Sequence, residues 1–191
     1  MAQTMAIYLS LYRRIEGENA TVRFPGNSIT WSLLSTDSSQ DIIARFCIFA
    51  SLIGEREKVR GKAFNIGDSV QPVSWSQRWP LLTAYFGLKG VGPEEEESRS
   101  SSSQLHPMEY IDRNWNVVEL ICREQGLDQE AIYRSTHNTG SRMGSLRLMD
   151  FDRPLNLARA RDLGFTEEVD TKTAWYTAFD RARRAKLLLT P

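Results

Sequence analysis

Apolar residues recur every three or four positions along several stretches of this 191-residue chain, the spacing of one buried helix face. The first stretch predicts that the chain opens inside a helix, and its apolar positions are Met5, Leu9, Tyr12 and Ile15. A second helix is predicted from an N-cap at Ser38 to a stop at Gly54. Its buried stripe is Ile42, Phe46, Phe49 or Ala50, and Ile53.

A third helix has the clearest start signal in the chain. Ser74 and Gln77 are spaced as a capping box, in which each side chain bonds the backbone N–H of the other residue. Pro80 lies inside this helix and predicts a kink, and Gly87 is expected to end it. The apolar face is Trp75, Trp79, Leu82 and Phe86.

The C-terminal third is also predicted to be helical. Residues 108–134 form a helical pattern that Gly126 interrupts, and a short helix is expected to end at Gly164. The last helix begins at an Asp170 N-cap. The core positions of the first and last of these helices are Trp115, Val118, Ile121 and Cys122, and Trp175, Ala178, Phe179 and Ala182.

Two stretches have the short apolar runs that are typical of strands. Residues 21–34 predict an extended run, a turn over residues 25–27 and a second extended run. Residues 62–67, KAFNIG, predict a strand buried on both faces. A buried strand, a turn and an amphipathic helix are the repeating unit of a parallel sheet, so the fold class is predicted to be α/β, rich in helices and with few strands.

Residues 90–107, GVGPEEEESRSSSSQLHP, form an acidic, serine-rich tract of low complexity. Such a tract buries too little apolar surface to fold, so residues 94–106 are predicted to be a mobile loop. It divides the chain into residues 1–93, a sheet with flanking helices, and residues 107–191, a helical lobe.

Composition removes several classes of function. Lysine and arginine number 24, and aspartate and glutamate also number 24, so no charge excess favours nucleic acid or an anionic membrane. Cys47 and Cys122 each stand alone in a helical pattern, which predicts buried thiols in a reducing compartment and no metal site. The apolar start is too short to span a bilayer and lacks a secretory signal's flanks, so we expect a cytoplasmic protein.

Three short motifs invite a catalytic interpretation, and each has a simpler one. The glycines of residues 87–92 follow a helix with reversed spacing, which indicates a helix end and loop rather than a dinucleotide site. Tyr85 and Lys89 match the Y-x-x-x-K acid/base pair, but Gly87 separates them, so a packed tyrosine and a solvated lysine are favoured. His106 and His137 lie in polar segments and are expected to be solvated.

A family resemblance rests on a series of segments in order. They are Arg23-Phe24-Pro25-Gly26-Asn27 with Trp31, Asp37-Ser38-Ser39, Ala63-Phe64-Asn65, residues 75–87, Gly164-Phe165 and residues 175–191. This series resembles the C-terminal half of the progesterone 5β-reductase/iridoid synthase-like (PRISE-like) enzymes, atypical extended short-chain dehydrogenases, and is similar above all to fungal members. The resemblance covers nearly the whole chain.

The resemblance implies a Rossmann-type fold and NADPH-dependent reduction of an enone or related carbonyl compound, in fungal secondary metabolism. In that family hydride goes to the β-carbon, while a tyrosine and a lysine stabilise the developing enolate. The family's glycine-rich loop and its catalytic tyrosine and lysine precede the segment matched here. We therefore expect a chain without the cofactor-binding half, with no catalytic or cofactor-binding residue of its own and no metal, which does not bind NADPH alone.

What remains by resemblance is mainly the substrate lobe. The family's substrate-lining segment corresponds to residues 134–153 here. The candidates for binding an apolar small-molecule substrate are Met143, Leu146, Met149 and Phe151. For each, an ordinary core or loop position is an equal alternative.

Two other hypotheses stay open. One is a cofactor-free pocket protein, an isomerase-like or cyclase-like enzyme that binds an apolar metabolite. The other is a non-catalytic partner that forms a homo-oligomer or docks on a full-length paralogue, because an abrupt helical start would expose an apolar face.

Overall fold

The computed structural model describes residues 2–93, 105–137, 146 and 149–190. Within them the chain alternates short strands with helices. In order, the elements are α1 (Ala2–Glu16), β1 (Thr21–Arg23), α2 (Ser28–Ser32), β2 (Leu34–Ser35), α3 (Gln40–Leu52), α4 (Arg56–Val59), β3 (Val73–Ser74), α5 (Trp75–Tyr85), β4 (Lys89–Val91), α6 (Pro107–Arg113), α7 (Trp115–Gln125), α8 (Gln129–His137), α9 (Ala158–Asp162) and α10 (Thr171–Arg184). The predicted class, a helix-rich α/β fold with few short strands, is confirmed.

Two parallel strands and one helix form the centre. β1 pairs with β4 in parallel, with Val22 opposite Gly90, and α5 lies against them. The Trp79 indole N–H donates to the Val22 carbonyl at 3.1 Å. A Cβ on Gly90 would lie 2.5 Å from Thr83 Oγ1, so glycine is needed for the strand to approach the helix this closely.

The main core surrounds α1. Residues 4–11 of this helix are buried on every side, because α6, α8 and α10 pack around it as well as the sheet. The core continues through Trp79, Leu82, Ile111 and Phe179, which are fully buried. This core includes residues from both sides of the predicted loop. Residues 94–104 lie outside those described, so the division of the chain at residues 94–106 stays a prediction.

A smaller core lies beneath α3. Phe46 packs its ring 5.2 Å from that of Phe64 and 5.3 Å from that of Phe165, while Ile42 is fully buried beside Ala160. This cluster fixes α3 against α9 and the chain that follows it.

Several local predictions were wrong. The second extended run is partly the helix α2, because the Asn27 side chain accepts a hydrogen bond from the Thr30 N–H and caps a helix there. Residues 63–67 form no strand, since Phe64 turns onto Phe46 instead of entering a sheet.

Three further details differ from the sequence predictions. The N-cap of α3 is Ser39, one residue after Ser38, whose hydroxyl donates to the Ile66 carbonyl. The helix predicted over residues 108–134 is divided into α6, α7 and α8. Cys47 is exposed because it lies on the face of α3 opposite the smaller core, whereas Cys122 is buried as predicted.

The capping box at Ser74 and Gln77 is confirmed, as are the Asp170 N-cap and Pro80 inside α5. No helix among the described residues is both long and apolar enough to cross a membrane. The same residues contain no cluster of histidine, cysteine or carboxylate side chains that could hold a metal ion.

Candidate functional site

Ligands of parallel sheets bind beyond the carboxyl ends of the strands. Phe24 follows β1 at this edge, and its ring lies 5.2 Å from Trp31, 5.3 Å from Trp75 and 5.8 Å from Trp79. Gly92 follows β4 and faces the Trp31 indole. The carboxyl edge of the β1–β4 pair is therefore built from aromatic rings.

A later segment of the chain runs along this edge. The Thr30 hydroxyl donates to the Met149 carbonyl at 2.9 Å, the Arg153 N–H donates to the Leu34 carbonyl at 2.8 Å, and the Leu155 N–H donates to Thr36 Oγ1 at 3.0 Å. At the other end, a Cβ on Gly26 would lie 2.8 Å from the Leu146 carbonyl oxygen. We call this contact, between residues 24–36 and residues 146 and 149–155, the seam.

The candidate substrate residues occupy different depths of the seam. Leu146 is buried in the main core, Met149 is partly buried, and Phe151 is 62% exposed. Met143 lies outside the described residues. The structure thus brings Leu146 and Met149 to the aromatic edge and leaves Phe151 on the surface; their substrate role stays a prediction.

A buried arginine lies at the end of the seam. Arg78, on α5, is 1% exposed, and its Nε is 2.9 Å from Asp37 Oδ2. This contact makes Asp37 the counter-charge of the buried guanidinium. The other guanidinium nitrogens donate to Ser35 and to the Val73 carbonyl, and the group lies 4.7 Å over the Trp75 ring. Burial lowers the pKa of Arg78, and Asp37 opposes that shift.

Two carboxylates join this arginine to the neighbouring elements. Asp37 Oδ2 also accepts the Trp175 indole N–H of α10 at 2.9 Å. Asp68 is 4% exposed, and its Oδ1 accepts from the backbone N–H and the hydroxyl of Ser39. Burial raises the pKa of Asp68, which the bonds from Ser39 partly offset. Because the Asp68 N–H donates to the Asp37 carbonyl, the two acids belong to one network.

We call Asp37, Asp68, Trp75, Arg78 and Arg153 the polar layer. Three buried polar atoms in it have neither a hydrogen-bond nor an ion-pair partner among the residues described: Asp68 Oδ2, Trp75 Nε1 and Arg153 Nε. Native proteins pair nearly all such atoms, so a group of them in one place needs an explanation.

Sequence analysis missed this layer, although one signal was present. Arg78 lies three residues after Trp75 and four before Leu82, on the same face of the helix as the predicted apolar stripe. A charged residue inside a buried stripe predicts a buried partner. Nothing in the sequence identified that partner as Asp37, because 41 positions separate the two.

The Y-x-x-x-K match does not form a catalytic pair. Tyr85 ends α5, and its hydroxyl donates to Asp180 Oδ1 at 2.5 Å, while Lys89 lies exposed in β4. Burial raises the pKa of Tyr85 to about 12, with the bond to Asp180 adding to the shift.

Neither the β3–α5 turn nor residues 87–92 fits the phosphates of NADPH. A pyrophosphate site needs free amides and open glycines at a strand-to-helix turn. At the β3–α5 turn the Ser74 hydroxyl and the Gln77 side chain already bond the amides, and no glycine is present. In residues 87–92, Gly87 follows the end of α5 with φ +69°, and Gly90 packs on Thr83. The expected loop there is the strand β4.

Both histidines have partners. The His106 ring accepts from the Met108 N–H and caps α6. His137 Nε2 lies 3.1 Å from Asp112, and the ring stacks on Tyr133 at 3.8 Å.

The chain resembles known proteins over nearly its full length. It is 34% identical over 184 residues to the short chain dehydrogenase ausT of Aspergillus calidoustus, which covers 96% of this chain and 43% of that protein. It is 30% identical over 192 residues to the short chain dehydrogenase sirR of Leptosphaeria maculans, covering 98% of this chain and 46% of that protein. An (S)-8-oxocitronellyl enol synthase of Nepeta cataria is 27% identical over 124 residues, 65% of this chain and 28% of that protein.

The chain therefore spans less than half the length of these relatives. A family model described as a PRISE-like Rossmann-fold domain matches residues 1–189. The protein belongs to the PRISE-like family of short-chain dehydrogenases.

Proposed function

We propose that this protein serves in the NADPH-dependent reduction of an enone or related carbonyl compound, in the cytoplasm and in fungal secondary metabolism. Family membership supports the reaction class, and two fungal relatives carry the name short chain dehydrogenase. Neither the β3–α5 turn nor residues 87–92 offers a phosphate site for NADPH, so no chemical step is assigned to them.

The role proposed for this chain is to bind the substrate. The observation that carries it is the seam, where residues 146 and 149–155 cover the aromatic carboxyl edge of a parallel strand pair. Met149 and Trp31 are partly buried there, so an apolar ligand would contact side chains that are already held in place. We propose Met143, Leu146, Met149 and Phe151 as the residues nearest to it.

The test measures NADPH oxidation with progesterone and 2-cyclohexen-1-one, for the chain alone and for a chimera. In the chimera, residues 1–189 replace the matching part of the Aspergillus calidoustus relative. We expect enone-dependent oxidation by the chimera and a product that has gained two hydrogens. Met149→Ala should raise KM about tenfold, the effect of losing part of an apolar contact. The matched variant Leu52→Ala, at an exposed position of α3, should leave KM unchanged.

The cofactor-free pocket protein stays the second candidate, because the aromatic seam is present while Gly90 is packed against Thr83 and Trp79. Enone binding to the chain in equilibrium dialysis, with no oxidation by the chimera, would favour it. Neither binding nor oxidation would contradict both proposals. The apolar face expected to be exposed at the helical start is instead buried, since residues 4–11 pack inside the main core. A partner role, as a homo-oligomer or with a full-length relative, is therefore proposed on the exposed Ile48 and Leu52 of α3, and a monodisperse monomer in light scattering would contradict it.

A further inference from the structure

No contact within the described part of the chain explains why an arginine side chain is needed at position 153. Its backbone bonds Leu34 and Thr36, but its guanidinium has no hydrogen-bond or ion-pair partner in the part of the chain that the structure describes, and its Nε is buried. At the buried Nε, the hydrogen bond to water that is lost on burial is not replaced by any described group.

The direction of this side chain follows from the strand pairing. Ser35 and Arg153 form a parallel bridge, and paired residues project to the same face. The Ser35 hydroxyl accepts from Arg78, so the Arg153 side chain also lies on the Arg78 side. The charge of Arg153 accordingly contributes to lowering the pKa of Arg78, after the larger effect of burial.

Each of the three acids near Arg153 has another partner. Asp37 is paired with Arg78. Asp68, the other acid of the polar layer, is bonded to Ser39. Asp152, next to Arg153, projects to the other face by strand alternation, and its carboxylate accepts the Leu34 N–H at 2.8 Å. None of these carboxylates therefore pairs with the Arg153 guanidinium.

A second unsatisfied donor lies in the same layer. Trp75 is 4% exposed, its ring lies under the Arg78 guanidinium, and its indole N–H has no partner among the described residues. Met149 lies four positions before Arg153, a Cα–Cα span of at most about 14 Å. An apolar molecule with a single acidic end would match that spacing.

We propose that Arg153 binds a carboxylate of the molecule that occupies the seam, so that the protein selects acidic apolar substrates over neutral ones. The inference rests on the proposed substrate-binding role of the seam. The planar guanidinium suits a carboxylate because it can form two parallel charge-assisted hydrogen bonds.

The test uses trans-cinnamate and its methyl ester, which differ in charge but share the same ring and double bond. Isothermal titration calorimetry on the full chain should show about tenfold tighter binding of the acid at low salt, the effect of a charge-assisted hydrogen bond. Arg153→Gln should bring the Kd of the acid to that of the ester and leave the ester unchanged. Arg153→Lys should keep part of the preference for the acid over the ester, since lysine retains the positive charge but cannot form two parallel hydrogen bonds to a carboxylate.

Arg159→Gln is the matched control, because Arg159 is an exposed arginine whose guanidinium bonds the Ala63 carbonyl. It should leave both affinities as they are. Unaltered binding of the ester shows in each variant that the fold is intact.

The outcomes separate this inference from the reductase proposal. Equal affinity of the two probes, or an equal loss of both in Arg153→Gln, would overturn the carboxylate site whatever the chimera does. So would the absence of binding by either probe in a chain whose chimera reduces enones. A preference for the acid that Arg153→Gln abolishes would support the site even if no enone is reduced.

Discussion

The main core and the polar layer meet on α5, and they satisfy polar groups differently. In the core, the Trp79 indole N–H donates to the Val22 carbonyl and the Thr83 hydroxyl donates to the Trp79 carbonyl. Four residues earlier on the same helix, the Trp75 indole N–H has no partner among the described residues. Two tryptophans one turn apart, both almost fully buried, thus have different hydrogen-bond environments.

The unpartnered buried atoms are concentrated in one of these two regions. Five buried side-chain atoms of the described residues have neither a hydrogen-bond nor an ion-pair partner, and three of them belong to the polar layer; the others are Ser10 Oγ and Arg183 Nε. Several unpaired buried polar atoms in one place are typical of a binding site, where a ligand supplies the missing hydrogen-bond partners. Substitutions that remove buried side chains from the core should therefore lower the free energy of unfolding most. Substitutions in the polar layer should change it through the loss of a charge.

The largest expected effect comes from the core. Trp79→Ala should lower the free energy of unfolding by about 3–5 kcal/mol, because it opens a cavity at a fully buried ring and leaves the Val22 carbonyl without its donor. Urea unfolding followed by far-UV circular dichroism measures this. Trp115→Ala, at a half-buried position, is the control and should cost less. Equal losses of unfolding free energy in the two variants would contradict the expectation that the loss follows the burial of the tryptophan.

Breaking the ion pair should cost somewhat less. Asp37→Asn leaves Arg78 buried without its counter-charge, which should lower the free energy of unfolding by about 3 kcal/mol. Breaking a buried ion pair typically costs about 3–5 kcal/mol. The lower value is expected here because the Asp37 side chain is 23% exposed. The double variant Asp37→Asn with Arg78→Met should be more stable than Asp37→Asn alone, since no charge is then buried unpaired.

Urea unfolding of the wild type, both single variants and the double variant gives the coupling energy of the pair. Additive losses would show that the two side chains do not depend on each other, contrary to the structure.

The same contrast explains how much the sequence could predict. On α5, the apolar spacing, the capping box and the end of the helix agreed, so the helix and its buried face were predicted correctly. Residues 28–32 failed because Ile29, Thr30 and Trp31 favour strands, and one cap from the Asn27 side chain outweighs that preference. Local signals succeed where tertiary contacts reinforce them.

The candidate site was predictable only in part. The family resemblance located the segment that contains Leu146 and Met149. The network of Asp37, Asp68 and Arg78 is drawn from three separate stretches, and no spacing rule connects them. The strand pairing of Arg153 with Ser35 joins positions 118 residues apart, which a single sequence cannot reveal.

The smallest effect concerns the protonation of Asp68. Burial raises the pKa of this carboxyl in the folded chain, so the native state binds a proton more readily than the unfolded state. Between the unfolded and folded pKa values, the native state holds more protons, and stability therefore falls as pH rises through that window. Asp68→Asn removes the titration. We expect the free energy of unfolding of the wild type, minus that of Asp68→Asn, to increase as the pH is lowered from about 7 to about 4 in urea melts. Parallel profiles would mean that Asp68 is hydrated in the native state, and the unpaired Oδ2 would then have water as its partner.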